Sequence, residues 1–276
     1  MKDVANKAYK GLLAFVDSFA NSTAGTAIER KTDDDIQPDS PEEQAALAVP
    51  DYVFPSDNYI DPVFDSKLTR STLRAFARKH YGSQLDQILQ HDTKLTPTNY
   101  PSLHSNYRHC CQTLGITMPP ELYITSSLAG INALSLEING VPVVLVSFIA
   151  VALLSDLEQR FLLGHELGHI QQGHMLIHTV QGLLLDLNKR SEIMGSLLSG
   201  LIDVPLNRWY RNSEFTADRA GYLCCPDINV ITALFSRITH SPRTALSQYL
   251  ELSEAHPHVS TRLEQLKDYE YSFQNE

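Results

Sequence analysis

The spacing of apolar residues changes several times along the chain, and each change marks an element. Val4, Ala8, Leu12, Phe15, Val16 and Phe19 recur at helical spacing with lysines and aspartates between them, which predicts an amphipathic helix over residues 3–20. Residues 21–65 lose that rhythm. They carry Asp33-Asp34-Asp35, Glu42-Glu43 and prolines at 38, 41, 50, 55 and 62, the composition of an extended acidic connector. The chain therefore divides into an N-terminal helix and connector, residues 1–65, and a globular domain, residues 66–276. Helical patterning returns at Leu68 to His80, Leu85 to Gln90 and Ser102 to Leu114, where Pro119-Pro120 closes it. Three strand-like runs follow: Glu121 to Thr125, Ala133 to Ile138 and Val143 to Ser147. Asn139-Gly140 between the last two predicts a two-residue hairpin turn with both φ angles positive. Ser155-Asp156-Leu157-Glu158 is a capping box and starts a helix that runs to about Gln172. Its acidic first turn complements the helix dipole. A further helix carries Asn212 to Asp218 and ends near Cys224-Cys225-Pro226. The expected class is α+β, mainly helical, with a small sheet just before the capped helix.

At 276 residues the chain suits one large domain or a domain with an appendage. A net charge of −10 argues against a general nucleic-acid binder, because nothing here would neutralise a run of phosphates. The cysteines form two vicinal pairs, Cys110-Cys111 and Cys224-Cys225, without C-x-x-C spacing. Buried thiols in a reducing compartment are expected, with a long-range disulfide or regulatory thiol as the alternative. No run reaches the roughly 18 apolar residues of a membrane span. Val141 to Leu154 comes nearest, and Pro142 and Ser147 interrupt it. Lys2, Lys7 and Lys10 precede a short apolar run, but Asp3 and Asp17 spoil the resemblance to a leader. The expected location is cytoplasmic, with peripheral membrane contact through the N-terminal helix left open.

The capped helix carries His165-Glu166-Leu167-Gly168-His169. Histidines at i and i+4 face the same side of a helix, so both imidazoles can reach one metal ion. A glutamate next to the first can hold the water that such a metal activates. Two histidines leave a zinc site short of a third protein ligand. On a continued helix, His174 lies about 140° round from His169 and His178 about 180°, both off the metal face. A metzincin would need glycine at 172 and histidine at 175, where the chain has Gln172 and Met175. Glu214 and Asp218 share one face of the later helix. One could bind the metal while the other accepts the N–H of a ligand histidine. Equally, they could pair with Arg211 and Arg219 on a solvated surface, and spacing alone does not choose.

With Glu214-Phe215-Thr216-Ala217-Asp218-Arg219-Ala220-Gly221 downstream, H-E-L-G-H resembles the zinc metallopeptidases that include the heat-shock protease HtpX and the CAAX prenyl protease type I. Asn132-Ala133, His174, and His256-Pro257 with Arg262 extend the resemblance over about residues 66–272. It implies a zincin-like fold with a gluzincin ligand set: His165, His169 and Glu214 on one Zn²⁺, with Asp218 supporting a ligand. Glu166 would be the base that deprotonates the attacking water and then protonates the leaving amine. The resemblance also implies His256 and Arg262 as positive partners of the oxyanion, or His256 as a cap on the metal in a latent state. Asn132 and Ala133 would lie on an edge strand where a peptide substrate adds. Membrane-embedded members carry flanking transmembrane helices. Here Leu183-Leu184-Leu185 and Leu197-Leu198 are broken up by Asp186, Lys189, Arg190 and Glu192, which fits a soluble or peripheral branch. The expected function is a zinc-dependent endopeptidase acting on protein or peptide substrates, held latent by residues 1–65 in one version. The alternative is a zinc-stabilised binding or chaperone-like module without turnover.

Overall fold

The structure, a computed structural model, describes residues 52–55, 78, 86, 89–138, 140–175, 209–240 and 257–275. The helix expected over residues 3–20, most of the connector, the apolar patches after Met175 and His256 lie outside these. Of the helices expected at 68–80 and 85–90, Arg78, Asp86, Leu89 and Gln90 are described, and all are helical.

In chain order the elements are β1 (Thr93–Lys94), α1 (Pro101–Thr113), β2 (Glu121–Thr125), β3 (Ala133–Ile138), β4 (Val141–Ser147), α2 (Phe148–Leu153) and α3 (Asp156–Gln171). They are followed by α4 (residues 209–224), α5 (Ile228–Thr239) and α6 (Val259–Asn275). The fold is mainly helical with a four-stranded sheet, in the order β1-β2-β4-β3. β3 and β4 form the expected hairpin, with Ile138 opposite Val141 and Gly140 at φ 83° in the turn. β4 also runs parallel to β2, Glu121 opposite Val143 through Thr125 opposite Ser147. This inner position explains why Val143, Val144, Leu145 and Val146 are all buried: both faces of β4 are covered. Leu122, Ile124, Ala133, Val144 and Val146 join the main core with α1 and α3, while Leu136, Val143 and Leu145 form a second cluster with Leu128. Ser135, two residues after Ala133, shares its side of the strand and faces α3.

Four elements, β1, α2, α5 and α6, are not marked by the sequence pattern described above. β1 is only two residues long and is held to β2 by register and by the Lys94–Glu121 ion pair. α2 lies at the end of the apolar run Val141 to Leu154, beyond the strand expected to stop at Ser147. Its start is set by Ser147, whose hydroxyl accepts from Ala150 N at 3.0 Å and donates to Gly130 O at 2.7 Å. α3 begins where expected, at the capping box of Ser155 and Glu158. Nearly every residue from Glu158 to His169 is buried, so α3 is a central helix with neighbours all round. Tyr52 and Val53, from the stretch read as connector, are also buried in the main core.

Candidate active site

Close contact between α3 and α4 builds the site. A methyl group added at Gly164 would sit 2.7 Å from Cys224 Sγ, and one at Gly168 would sit 2.7 Å from Ala220 Cβ. One added at Gly221 would meet the Phe161 ring at 2.9 Å. Small residues on both helices thus let the two backbones approach, with Ala217 and Ala220 completing the seam. Residues 165 and 169 on α3 and 214 and 218 on α4 lie along this seam and meet across it.

His169 Nε2 lies 3.1 Å from His165 Nε2, and Glu214 reaches His165 Nε2 at 3.8 Å and His169 Nε2 at 3.5 Å. Two tetrahedral ligands at zinc distances are about 3.3 Å apart, so these three separations bracket the edge of a zinc coordination sphere. All three residues are buried, and among the described residues their ligand atoms form a cluster able to hold one metal ion. The donor set, two imidazoles and a carboxylate, suits zinc.

The far side of each imidazole is held. His165 Nδ1 faces Asp218 Oδ1 at 3.0 Å. Asp218 in turn accepts from Arg262 Nε at 2.8 Å and Nη2 at 2.5 Å, a bidentate clamp. Arg262 Nη1 also lies 3.6 Å from Glu214, and its guanidinium stacks over Phe235 at 4.6 Å. His169 Nδ1 lies 3.0 Å from His174 Nδ1, and the His174 ring meets Trp209 of α4 edge-on at 5.3 Å.

Burial opposes ionisation of Asp218, but Arg262 outweighs it and holds the carboxyl below its usual range. Burial likewise opposes the Arg262 charge, and Asp218 and Glu214 more than restore it. Burial also disfavours a protonated His165, yet Asp218 and Glu214 raise it above the usual histidine value. Burial pushes His169 down to about 4, so it stays neutral. Glu166 is buried, and desolvation lifts its carboxyl above the ordinary value against the pull of His165 and a hydrogen bond from Ser135. A carboxylate raised in this way is suited to accepting and returning a proton near neutral pH.

The structure thus brings together His165, His169, Glu214, Glu166, Asp218 and Arg262. The Asn132 main chain is tied to the end of β4, its C=O accepting from Ser147 N at 2.9 Å and its N–H donating to Ser147 Oγ at 3.2 Å. The Ala133 side chain is buried in the core. His174 and Ser135 were not expected to touch the site. All four cysteines are buried free thiols.

The family model for peptidase family M48 matches residues 97–270. The chain belongs to peptidase family M48. Peptidases of this family are metal-dependent and act on protein or peptide substrates. The chain is also similar to the plastoglobule-localized metallopeptidase 48, chloroplastic, of Arabidopsis thaliana, 27% identical over 172 residues. The alignment takes in 60% of this chain and 49% of that protein, so the chain spans about half the length of the curated relative it matches. No solved structure gives a significant match.

Proposed function

We propose that the chain is a zinc-dependent endopeptidase of gluzincin type. The observation that carries this reading is the convergence of His165 Nε2, His169 Nε2 and Glu214 beside a buried Glu166 with a raised carboxyl. His165, His169 and Glu214 would hold zinc, which when bound would supply Lewis acidity to polarise a carbonyl and make water more acidic. Glu166 takes the proton from the attacking water and delivers it to the leaving amine. Asp218 orients His165, and Arg262 keeps Asp218 ionised while lying 3.6 Å from Glu214. Nε and Nη2 of Arg262 are committed to Asp218, so any contact with the oxyanion falls to Nη1. His256 is the second candidate for that contact.

Substrate binds in this reading along β3, one of the two terminal strands among the described residues. Ser147 N–H donates to Asn132 O just before the β3–β4 ladder begins, so by antiparallel alternation the main-chain groups of Ala133 and Ser135 point away from β4. Ala133 thus offers backbone rather than side chain to an extended peptide, which favours recognition with little dependence on substrate sequence.

The Arabidopsis thaliana relative is plastoglobule-localized, as its name says. No described helix is long and apolar enough to cross a membrane. We therefore propose an enzyme of an aqueous compartment, cytoplasmic by default, that can work at a membrane surface. The test is cleavage of an unfolded protein by the purified chain, with zinc content measured alongside. Activity that disappears on chelation and returns with zinc supports the reading; unchanged cleavage after zinc is removed rejects it.

A further inference from the structure

The end of α3 carries a device that the peptidase reading does not require by itself. α3 stops at Gln171, and Gly173 adopts φ 70°, the left-handed conformation that favours glycine. His174 N–H then bonds back to His169 O at 2.9 Å, and Gly173 N–H to Ile170 O at 3.1 Å. These two bonds are the reversal that closes many helices, a Schellman motif. On a continued helix His174 would stand well round the barrel from His169. The reversal instead lays its ring on that of His169, Nδ1 to Nδ1 at 3.0 Å, in a fully buried position backed by Trp209.

Two imidazole nitrogens at that distance share one proton: one donates and the other accepts. A metal on His169 Nε2 requires the His169 proton on Nδ1, so His174 Nδ1 must be the acceptor. The two ligand histidines are then held differently. His165 is oriented by a carboxylate and His169 by a second imidazole nitrogen.

We propose that His174 is a positioning residue that fixes the His169 tautomer and ring so that Nε2 faces the metal. This rests on the metal-site reading above, and its test separates the two. Zinc release from the full chain to a chromogenic chelator is measured for the wild type and three variants. His174→Ala and His174→Phe are expected to release zinc about 10- to 100-fold faster, the usual effect of removing a partner behind a ligand histidine. Phe keeps an aromatic ring against Trp209 but offers no acceptor, so bulk alone does not rescue. His174→Asn places Oδ1 where Nδ1 stood and is expected to restore slow release. Wild-type release from Ala and Phe, or failure of Asn to rescue, overturns the proposal. Ring-nitrogen NMR of the metal-free wild type reads the pairing without zinc, and without any variant that must fold. His169 protonated on Nδ1 and bonded to His174 supports it, and protonation on Nε2 overturns it. A wild type that binds no zinc yet shows the expected tautomer refutes the metal reading while leaving the His169–His174 pairing in place.

Discussion

Glu214 and Asp218 divide the work of one helix face: Glu214 turns its carboxylate to the two histidine Nε2 atoms, and Asp218 reaches round behind His165. Asp218→Asn keeps the shape but weakens the charged partner of both His165 and Arg262. Zinc affinity is expected to fall about 10- to 100-fold, measured by competition with a chelator. Unchanged affinity would show that Asp218 serves packing alone. H-E-L-G-H and the two carboxylates were readable from the sequence because i, i+4 spacing is a property of the helix itself. The choice between metal ligand and solvated ion pair was not, since it depends on α4 crossing α3, and only the resemblance decided it. His174 was placed by the geometry of a continuing helix. The signal that moves it is Gly173, one residue earlier, which ends the helix and turns the chain back.

At the scale of elements, the start of α3 and its seam with α4 matter most. Glu158 closes the capping box on Ser155 and also receives Arg237 of α5 at 2.6 Å. Burial opposes its charge, but the bonds from Ser155 and Arg237 outweigh that, and its carboxyl sits below the ordinary value. A carboxyl depressed in the folded state stabilises the fold above its unfolded pKa of about 4.3, and the benefit is lost as pH falls through the folded value. The stability gap between wild type and Glu158→Gln should therefore be full at pH 7 and close below about pH 4 in denaturant titrations. An equal gap at pH 7 and pH 3 contradicts this account. Gly168→Val should prise α3 from α4, because even a single added carbon meets Ala220 Cβ at 2.7 Å. The expected cost is about 1–3 kcal/mol with loss of metal binding, and a variant that keeps both stability and zinc removes the seam from the explanation. The capping box, the hairpin and most strand positions were legible because their signals are local. α2 was hidden by a uniformly apolar run, and β1 by its length.

Across the whole molecule, the short stretch from Tyr52 to Phe54 ties both ligand helices together. Tyr52 OH donates to Gln171 of α3 at 2.8 Å, Phe54 N–H donates to Thr216 Oγ1 of α4 at 3.0 Å, and the Phe54 ring stacks near Arg219 and Phe215. No pattern in the connector marks Tyr52 and Val53 as core, because their partners lie more than a hundred positions away. A fair test of latency therefore removes residues 1–51 and keeps Tyr52. If the acidic segment blocks the cleft, the truncated chain cleaves an unfolded protein faster than the full chain; equal rates reject latency. The central claim is that Glu166 acts as the base beside a metal held by His165, His169 and Glu214. The most direct measurement is zinc content and peptide-bond cleavage by Glu166→Gln beside the wild type. The account predicts one zinc per chain in both and cleavage only in the wild type; a variant that keeps its zinc and cleaves at the wild-type rate would contradict it.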